Sequence, residues 1–218
     1  MPTAPSPQPD WFPLRWQLND RPSPGWSPEG LSGQTPLPWW SAGWYGGELQ
    51  SLLRALRRDP QPAPLLRRLS PLREALAALA ASTETRELWL VPVPGWRSQP
   101  NPVPQLLAQT LQQQADPAHR CRLRSELLQR NWRVLPQHRL GRQQRWRNQW
   151  LSFRALLPQH PASVETARVL LIDDVLTSGA TALAAQRALH SAGWRVAGLL
   201  CLARTPRRSP AAAAENRA

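Results

Sequence analysis

Two adjacent carboxylates, Asp173 and Asp174, follow directly after four β-favouring apolar residues at 169–172. Such an apolar run predicts a buried strand of a parallel sheet. The polar loop that comes next opens a helix rich in Ala and Leu, and it consists of Thr177, Ser178, Gly179, Ala180 and Thr181. In open α/β sheets, ligands bind beyond the carboxyl ends of strands, where helix N-termini point at them. We therefore predict a binding site at this strand end.

The two parts of this stretch suit opposite ends of one ligand. Backbone N–H groups and small hydroxyls suit a phosphate monoester, and Gly179 lets the backbone come close to it. Asp173 and Asp174 would repel a phosphate, but carboxylates accept hydrogen bonds from vicinal hydroxyls or face Mg²⁺. A ribose 5-phosphate satisfies both parts, with its hydroxyls on the acids and its phosphate in the loop. The alternative is an ordinary strand-to-helix turn in which the acids cap a helix.

A second strand followed by a loop precedes this stretch. Residues 87–91 predict a strand, and the residues that would form a pyrophosphate loop after it are Pro92, Val93, Pro94 and Arg97. Backbone donors together with the guanidinium would face an anionic leaving group. The alternative is a plain turn stiffened by proline.

The chain is strongly basic, with a net charge of +13, and all of its basic residues are Arg. The absence of Lys excludes a Schiff-base lysine and a P-loop lysine. Residues 120–154 are the most basic part and have Trp132, Trp146 and Trp150 interleaved. This composition is typical of a surface for single-stranded nucleic acid, and equally of a hood over a polyanionic small molecule. A solvated face, or an Arg bias set by genomic base composition, would give the same pattern.

The wider sequence predicts the elements that hold these residues. Alternating strands and helices over 87–204 predict an α/β domain with a parallel sheet and right-handed crossovers. Residues 39–86 predict a helical segment with two amphipathic helices. Residues 1–38, rich in Pro and Trp, predict a largely disordered arm, and 205–218 predict a disordered tail.

Cysteine content and hydropathy restrict the cellular setting. Cys121 and Cys201 are far apart and lack metal-ligand spacing, so we expect reduced thiols and no zinc. No apolar run approaches ~20 residues, so we expect no membrane insertion. The N-terminus lacks the apolar core of a secretory signal. These features predict a cytoplasmic protein.

Residues 169–181 resemble the motif that binds phosphoribosyl pyrophosphate (PRPP) in type I phosphoribosyltransferases. Three further matches extend the resemblance to the ComF family, which is phosphoribosyltransferase-like and linked to DNA uptake in natural competence. The first is Tyr45-Gly46-x-x-Leu49 with Arg57 further along its helix, and the second is Val91-Pro92-Val93-Pro94. The third and most discriminating match is the pattern of Gln137, Leu140, Arg145, Asn148 and Phe153.

The resemblance implies a type I phosphoribosyltransferase-like parallel sheet flanked by helices that binds PRPP with Mg²⁺. Asp173 and Asp174 would be the catalytic pair, would face Mg²⁺ indirectly, and would stabilise positive charge at the anomeric carbon as pyrophosphate leaves. Gln137, Arg145 and Asn148 would belong to the hood. The expected activity is glycosyl transfer to an unknown acceptor, as a phosphoribosyltransferase. The alternatives are a non-catalytic competence factor that binds single-stranded DNA, or a regulator that senses PRPP.

The chain departs from the family at three places. No cysteine precedes Cys121, so the usual N-terminal zinc ribbon is missing. Of the family's Arg-Gly-Phe-Asn-Gln after the Pro-Val-Pro loop, this chain keeps only Asn101 in a shortened stretch. Purine-type members of the superfamily carry an acid three residues after the acidic pair, where this chain has Thr177. A purine acceptor is therefore not expected.

Overall fold

The helices and strands are those of a computed structural model, which describes residues 25–34, 37–81, 87–95, 101–118, 120–131, 152–159 and 165–206. In chain order the elements are β1 (Gly25–Gly33), β2 (Trp39–Trp44), α1 (Gly47–Arg58), α2 (Pro62–Leu66), α3 (Ser70–Ala81), β3 (Glu87–Pro92), α4 (Val103–Gln114), β4 (Cys121–Leu123), β5 (Leu128–Arg130), β6 (Phe153–Ala155), β7 (Ala167–Leu176), α5 (Ala180–Ser191) and β8 (Val196–Arg204).

A six-stranded sheet in the order β1-β2-β8-β7-β3-β4 organises the described chain. Every neighbouring pair is parallel except β1 and β2, which run antiparallel. The strand that carries the acidic pair, β7, lies between β8 and β3. The expected α/β architecture with a mostly parallel sheet is confirmed. Because β3 and β7 are parallel neighbours, the loops that follow them meet at one edge of the sheet.

The apolar residues of β7 are divided between the two faces of the sheet. Leu170 and Ile172 are buried in a core formed with α1, α3 and α4. Val169 and Leu171 are buried in a second core formed with α5 and the β5–β6 ribbon, a two-stranded antiparallel sheet. Successive side chains of a strand point to opposite faces, so a strand covered on both faces needs a continuous apolar run.

The helices that cover the first face have the spacing expected of amphipathic helices. In α1, the buried residues Leu49, Leu53 and Leu56 recur at intervals of four and three, which puts them on one face. The second of the two amphipathic helices, which we expected over 65–81 with or without an interruption near Pro71, is divided just before that proline, with α2 ending at Leu66 and α3 beginning at Ser70. Pro71 lies in the first turn of α3, where its missing N–H costs nothing.

Two predictions about the N-terminal part are wrong. Residues 25–33 form strand β1, although we expected a disordered arm there. The strand tolerates Pro28 because it lies at the sheet edge, within a register shift between Trp26 and Leu31. Residues 39–44 form β2, although we expected a helical segment, and this strand pairs with β8. The domain boundary that we predicted between residues 86 and 87 therefore falls between strands of one and the same sheet.

Part of the predicted basic hood, residues 120–154, forms strands. Residues 121–123 form β4 at the edge of the main sheet, and the β5–β6 ribbon brackets residues 132–151. Those 20 residues lie outside the described part of the chain, as do residues 1–24 and 207–218. None of the helices in the described ranges is long and apolar enough to cross a membrane.

Candidate functional site

Asp174 lies near the carboxyl end of β7 and is only 6% exposed. Its Oδ2 accepts hydrogen bonds from Arg57 Nε at 3.1 Å and from Asn101 Nδ2 at 2.7 Å. Arg57 Nη2 also donates to this oxygen and completes an ion pair. Oδ1 accepts the N–H of Val175 at 2.7 Å. Asp174 thus joins α1 and the loop that precedes α4 to the central strand.

Asp173 has different neighbours. It keeps partial solvent exposure, and its Oδ1 accepts the N–H of Asp174 at 2.9 Å. Burial raises the pKa of Asp173 well above its usual range, and the carboxylate of Asp174 raises it further, while Arg130 opposes the shift. Arg130 lies on the β5–β6 ribbon, with its guanidinium carbon 4.5 Å from the centroid of the Phe153 ring. Burial lowers the pKa of Arg130 to about 10, and Asp173 acts in the opposite direction.

The loop predicted to bind phosphate lies where expected, between the end of β7 and the start of α5. Gly179 has φ 81° and ψ 0° and directly precedes the helix. This left-handed conformation is accessible to glycine at little cost. The Thr177 and Ser178 side chains are exposed, whereas Ala180 and Thr181 are partly buried.

Arg204, at the end of β8, supports this loop from inside. The residue is 4% exposed, and its Nη1 donates to the carbonyl of Leu176 at 2.8 Å and to the carbonyl of Thr177. Its guanidinium carbon lies 5.4 Å from the Trp39 ring centroid. The N–H of Thr205 also donates to Leu176 O, at 3.0 Å. The predicted start of the disordered tail at residue 205 is therefore too early in the sequence.

The predicted pyrophosphate loop is only partly described. Pro92 and Val93 are buried and Pro94 is partly buried, and the N–H of Val93 donates to the Ile172 carbonyl at 2.8 Å. Proline has no N–H, so these three residues offer no free backbone donor to a pyrophosphate. The backbone donors predicted for the loop would therefore have to come from residues after Pro94. Arg97, and the hood residues Gln137, Arg145 and Asn148, lie outside the described residues.

The acidic pair does not form a ready set of direct ligands for Mg²⁺. The oxygens of Asp174 already accept hydrogen bonds, and the Arg57 cation beside it would repel a second cation. Within the described ranges, no group of three or more His, Cys, Asp or Glu side chains is placed to hold a metal ion. Considering the described residues alone, Mg²⁺ at this edge would need oxygens supplied by a ligand.

Three residues that contact the site were not among the predicted site residues. Arg57 was noted only as a match to the family pattern, Asn101 only as the remnant of a longer motif, and Arg204 not at all. Asn101 Oδ1 accepts the N–H of Val103 at 3.2 Å, two residues further on, as in an Asx turn that precedes a helix. Its position before Pro102 and an apolar helix is the signal that would have identified it.

A separate cleft of about 510 Å³ lies between α3 and α4, lined by residues that include Arg73, Glu74, Gln114 and Asp116. Since α4 begins beside the acidic pair and runs away from it, the end of α4 that lines this cleft lies far from Asp174 along the helix. The cleft is therefore distinct from the candidate site.

No family model matches this chain, and no curated protein matches it.

Proposed function

We propose that this protein binds the ribose 5-phosphate part of PRPP at the carboxyl end of β7. One observation carries the proposal. The partly exposed Asp173 and the loop 177–181, with Gly179 in a left-handed conformation, lie at one strand end before α5. A hydroxyl-binding acid and a phosphate-binding loop a few residues apart suit the two ends of a phosphorylated sugar.

The phosphate would be bound by the exposed hydroxyls of Thr177 and Ser178 and by N–H groups at the start of α5. The hydrogen bonds from Arg204 support this assignment because they engage the carbonyl oxygens of Leu176 and Thr177. Carbonyl oxygens facing the ligand would repel a phosphate, whereas a buried guanidinium beneath the loop attracts it. The helix dipole of α5 acts in the same direction.

Asp173 would accept hydrogen bonds from the ribose hydroxyls. It is the partly exposed acid of the pair, and among the described residues only its Oδ1 accepts an N–H. In a transfer reaction, the positive charge that develops at the anomeric carbon as pyrophosphate leaves would favour the ionised form of Asp173 against its raised pKa, and the carboxylate would stabilise that charge. The acceptor of the phosphoribosyl group is open, and a PRPP sensor without turnover would use the same contacts.

Isothermal titration calorimetry tests the proposal, with ribose 5-phosphate as one ligand and PRPP with Mg²⁺ as the other. We expect wild-type protein to bind both, and Asp173→Asn to weaken both by about tenfold or more, because hydrogen bonds to charged groups contribute about 1.5–3 kcal/mol. Glu74→Gln is the matched control, since it removes one exposed negative charge from α3. If neither ligand gives binding heat with wild-type protein, the proposal is refuted.

The charge of +13 supports a second candidate, binding of single-stranded DNA by a competence factor. In the described part of 120–154, however, several arginines are engaged within the protein. Arg122 pairs with Glu87, and Arg124 pairs with Glu126 at 2.5 Å while its guanidinium carbon lies 4.1 Å from the Trp89 ring centroid. Fluorescence anisotropy with a labelled oligonucleotide should show affinity that falls steeply with salt. Affinity insensitive to salt would count against this function.

A further inference from the structure

Arg57 binds Asp174 along one side of its guanidinium. Nε and Nη2 both donate to Oδ2, which leaves the Nη1 donors without a partner among the residues that the structure describes. The Arg57 side chain is 42% exposed, whereas that of Asp174 is 9% exposed. A planar guanidinium fixed on one side and open on the other is arranged to bind an anion at its open side.

Asp174, by contrast, has little capacity left for a ligand. Oδ2 accepts from Arg57 and from Asn101, and Oδ1 accepts from the backbone of Val175. Only Oδ1 keeps an acceptor position, and Asp174 is 6% exposed. A ribose hydroxyl that bound Oδ2 would have to displace a paired cation or an amide, and the displaced groups would need new partners. A nearly buried carboxylate that loses its cation carries a substantial desolvation penalty.

We propose that Asp174 is a positioning residue that holds Arg57 at the ligand edge, and that Arg57 binds the diphosphate that PRPP carries on its anomeric carbon. This inference rests on the function proposed above, and it divides the acidic pair. Asp173 contacts the sugar, whereas Asp174 acts only through Arg57 and Asn101.

The diphosphate is the part of PRPP that still needs a cation in the described structure. Residues 92–94 supply no free N–H group, and the loop 177–181 is assigned to the 5-phosphate. Asn101 ends the connection between β3 and α4, and its side chain shares Asp174 Oδ2 with Arg57. Arg57 therefore lies beside the chain segment that follows β3.

Calorimetry with three probes separates the roles of these residues. The probes are ribose 5-phosphate, PRPP with Mg²⁺, and inorganic pyrophosphate with Mg²⁺. The variants are Asp173→Asn, Asp174→Asn, Arg57→Gln, the double variant of the last two, and Arg57→Lys, which keeps the charge. Arg54→Gln is the matched control, because it removes the same charge from an exposed position of α1. Circular dichroism checks that each variant is folded. If Arg57→Gln does not fold, Arg57→Lys takes its place in the comparison.

We expect Arg57→Gln and Asp174→Asn each to weaken PRPP and pyrophosphate binding by about tenfold or more, with ribose 5-phosphate changed less than about twofold. The double variant should bind PRPP no more weakly than the weaker single variant, because the two residues act as a unit. Arg57→Lys should retain part of the affinity, and Arg54→Gln all of it. Asp173→Asn should weaken ribose 5-phosphate and PRPP alike.

Two results would overturn the inference while leaving ribose 5-phosphate binding established. One is a loss of ribose 5-phosphate affinity in Asp174→Asn equal to that in Asp173→Asn, which would make Asp174 a sugar-binding acid. The other is unchanged PRPP affinity in Arg57→Gln. If wild-type protein binds none of the three probes, the proposed function and this inference both fail, so the two kinds of failure are distinguishable.

Discussion

Replacing Gly179 by Ala tests whether the turn before α5 serves the ligand or only the fold. Gly179 has φ 81°, and an L-residue in this left-handed region costs about 1 kcal/mol relative to glycine. For a protein of this size, a loss of about 1 kcal/mol lowers Tm by about 2–4 °C. Relaxation of the strained loop would also move the N–H groups that face the predicted phosphate.

Gly193 supplies a matched control at the other end of the same helix. It has φ 92°, and a Cβ added there would meet nothing within 4 Å, so Gly193→Ala carries backbone strain with no clash. It follows the last turn of α5, where its N–H donates to His190 O at 2.9 Å, and the chain then enters β8. The two substitutions should therefore lower stability by similar amounts, at opposite ends of α5.

The assay combines thermal unfolding with calorimetric titration of ribose 5-phosphate. We expect both variants to lose a few degrees of Tm, but only Gly179→Ala to lose affinity, by about tenfold or more. Equal affinities for the two variants would refute the reasoning. If both bind like wild type, the loop does not contact phosphate, and if both are weakened alike, the loss reflects stability rather than the site.

Two further predictions concern the second face of the sheet and the thiols. Burial raises the pKa of Cys121 to about 11, and burial foremost raises that of Cys201 to about 12. At pH 8 we expect iodoacetamide to label both at least about a hundredfold more slowly than an ordinary thiol, with full labelling after denaturation, as mass spectrometry would show. Trp194→Phe removes a hydrogen bond of 2.7 Å from Nε1 to Leu156 O, and should lower the free energy of unfolding by about 1 kcal/mol in urea titrations. Rapid labelling of the native protein, or unchanged stability of Trp194→Phe, would contradict these predictions.

The central fold was predictable because its signals are local. Local composition predicted β3 and β7 as strands, regular apolar spacing predicted α1, and a stretch rich in Ala and Leu predicted α5. The strand β2 was not predictable in this way, because it pairs with β8, which lies more than 150 residues further along the chain, and β1 pairs only with β2. Pro and Gly in and around these strands lower their strand propensity, and Trp39–Trp44 is a strand through its pairing with β8.

The candidate site was predictable where it depends on one continuous stretch, and not where it depends on contacts across the chain. The acids and the loop 177–181 follow one another along the sequence. The partners of Asp174 are 117 residues away at Arg57 and 73 residues away at Asn101, and no local pattern connects them. Arg204 reaches the Leu176 carbonyl from the neighbouring strand, a contact that required the order of the strands.

One feature of the site, the separation of the two acids, does follow from the sequence. Residues 169–172 alternate between two buried cores, so the strand must be covered on both faces. Continuing the alternation sends Asp174 toward the helices of the first face, where Arg57 lies, and Asp173 toward the ribbon that carries Arg130. Adjacent acids within such a strand cannot both face the same partner. We therefore expect the two acids of a pair that continues a strand buried on both faces to have different roles. One acid contacts the ligand, and the other holds the structure around it.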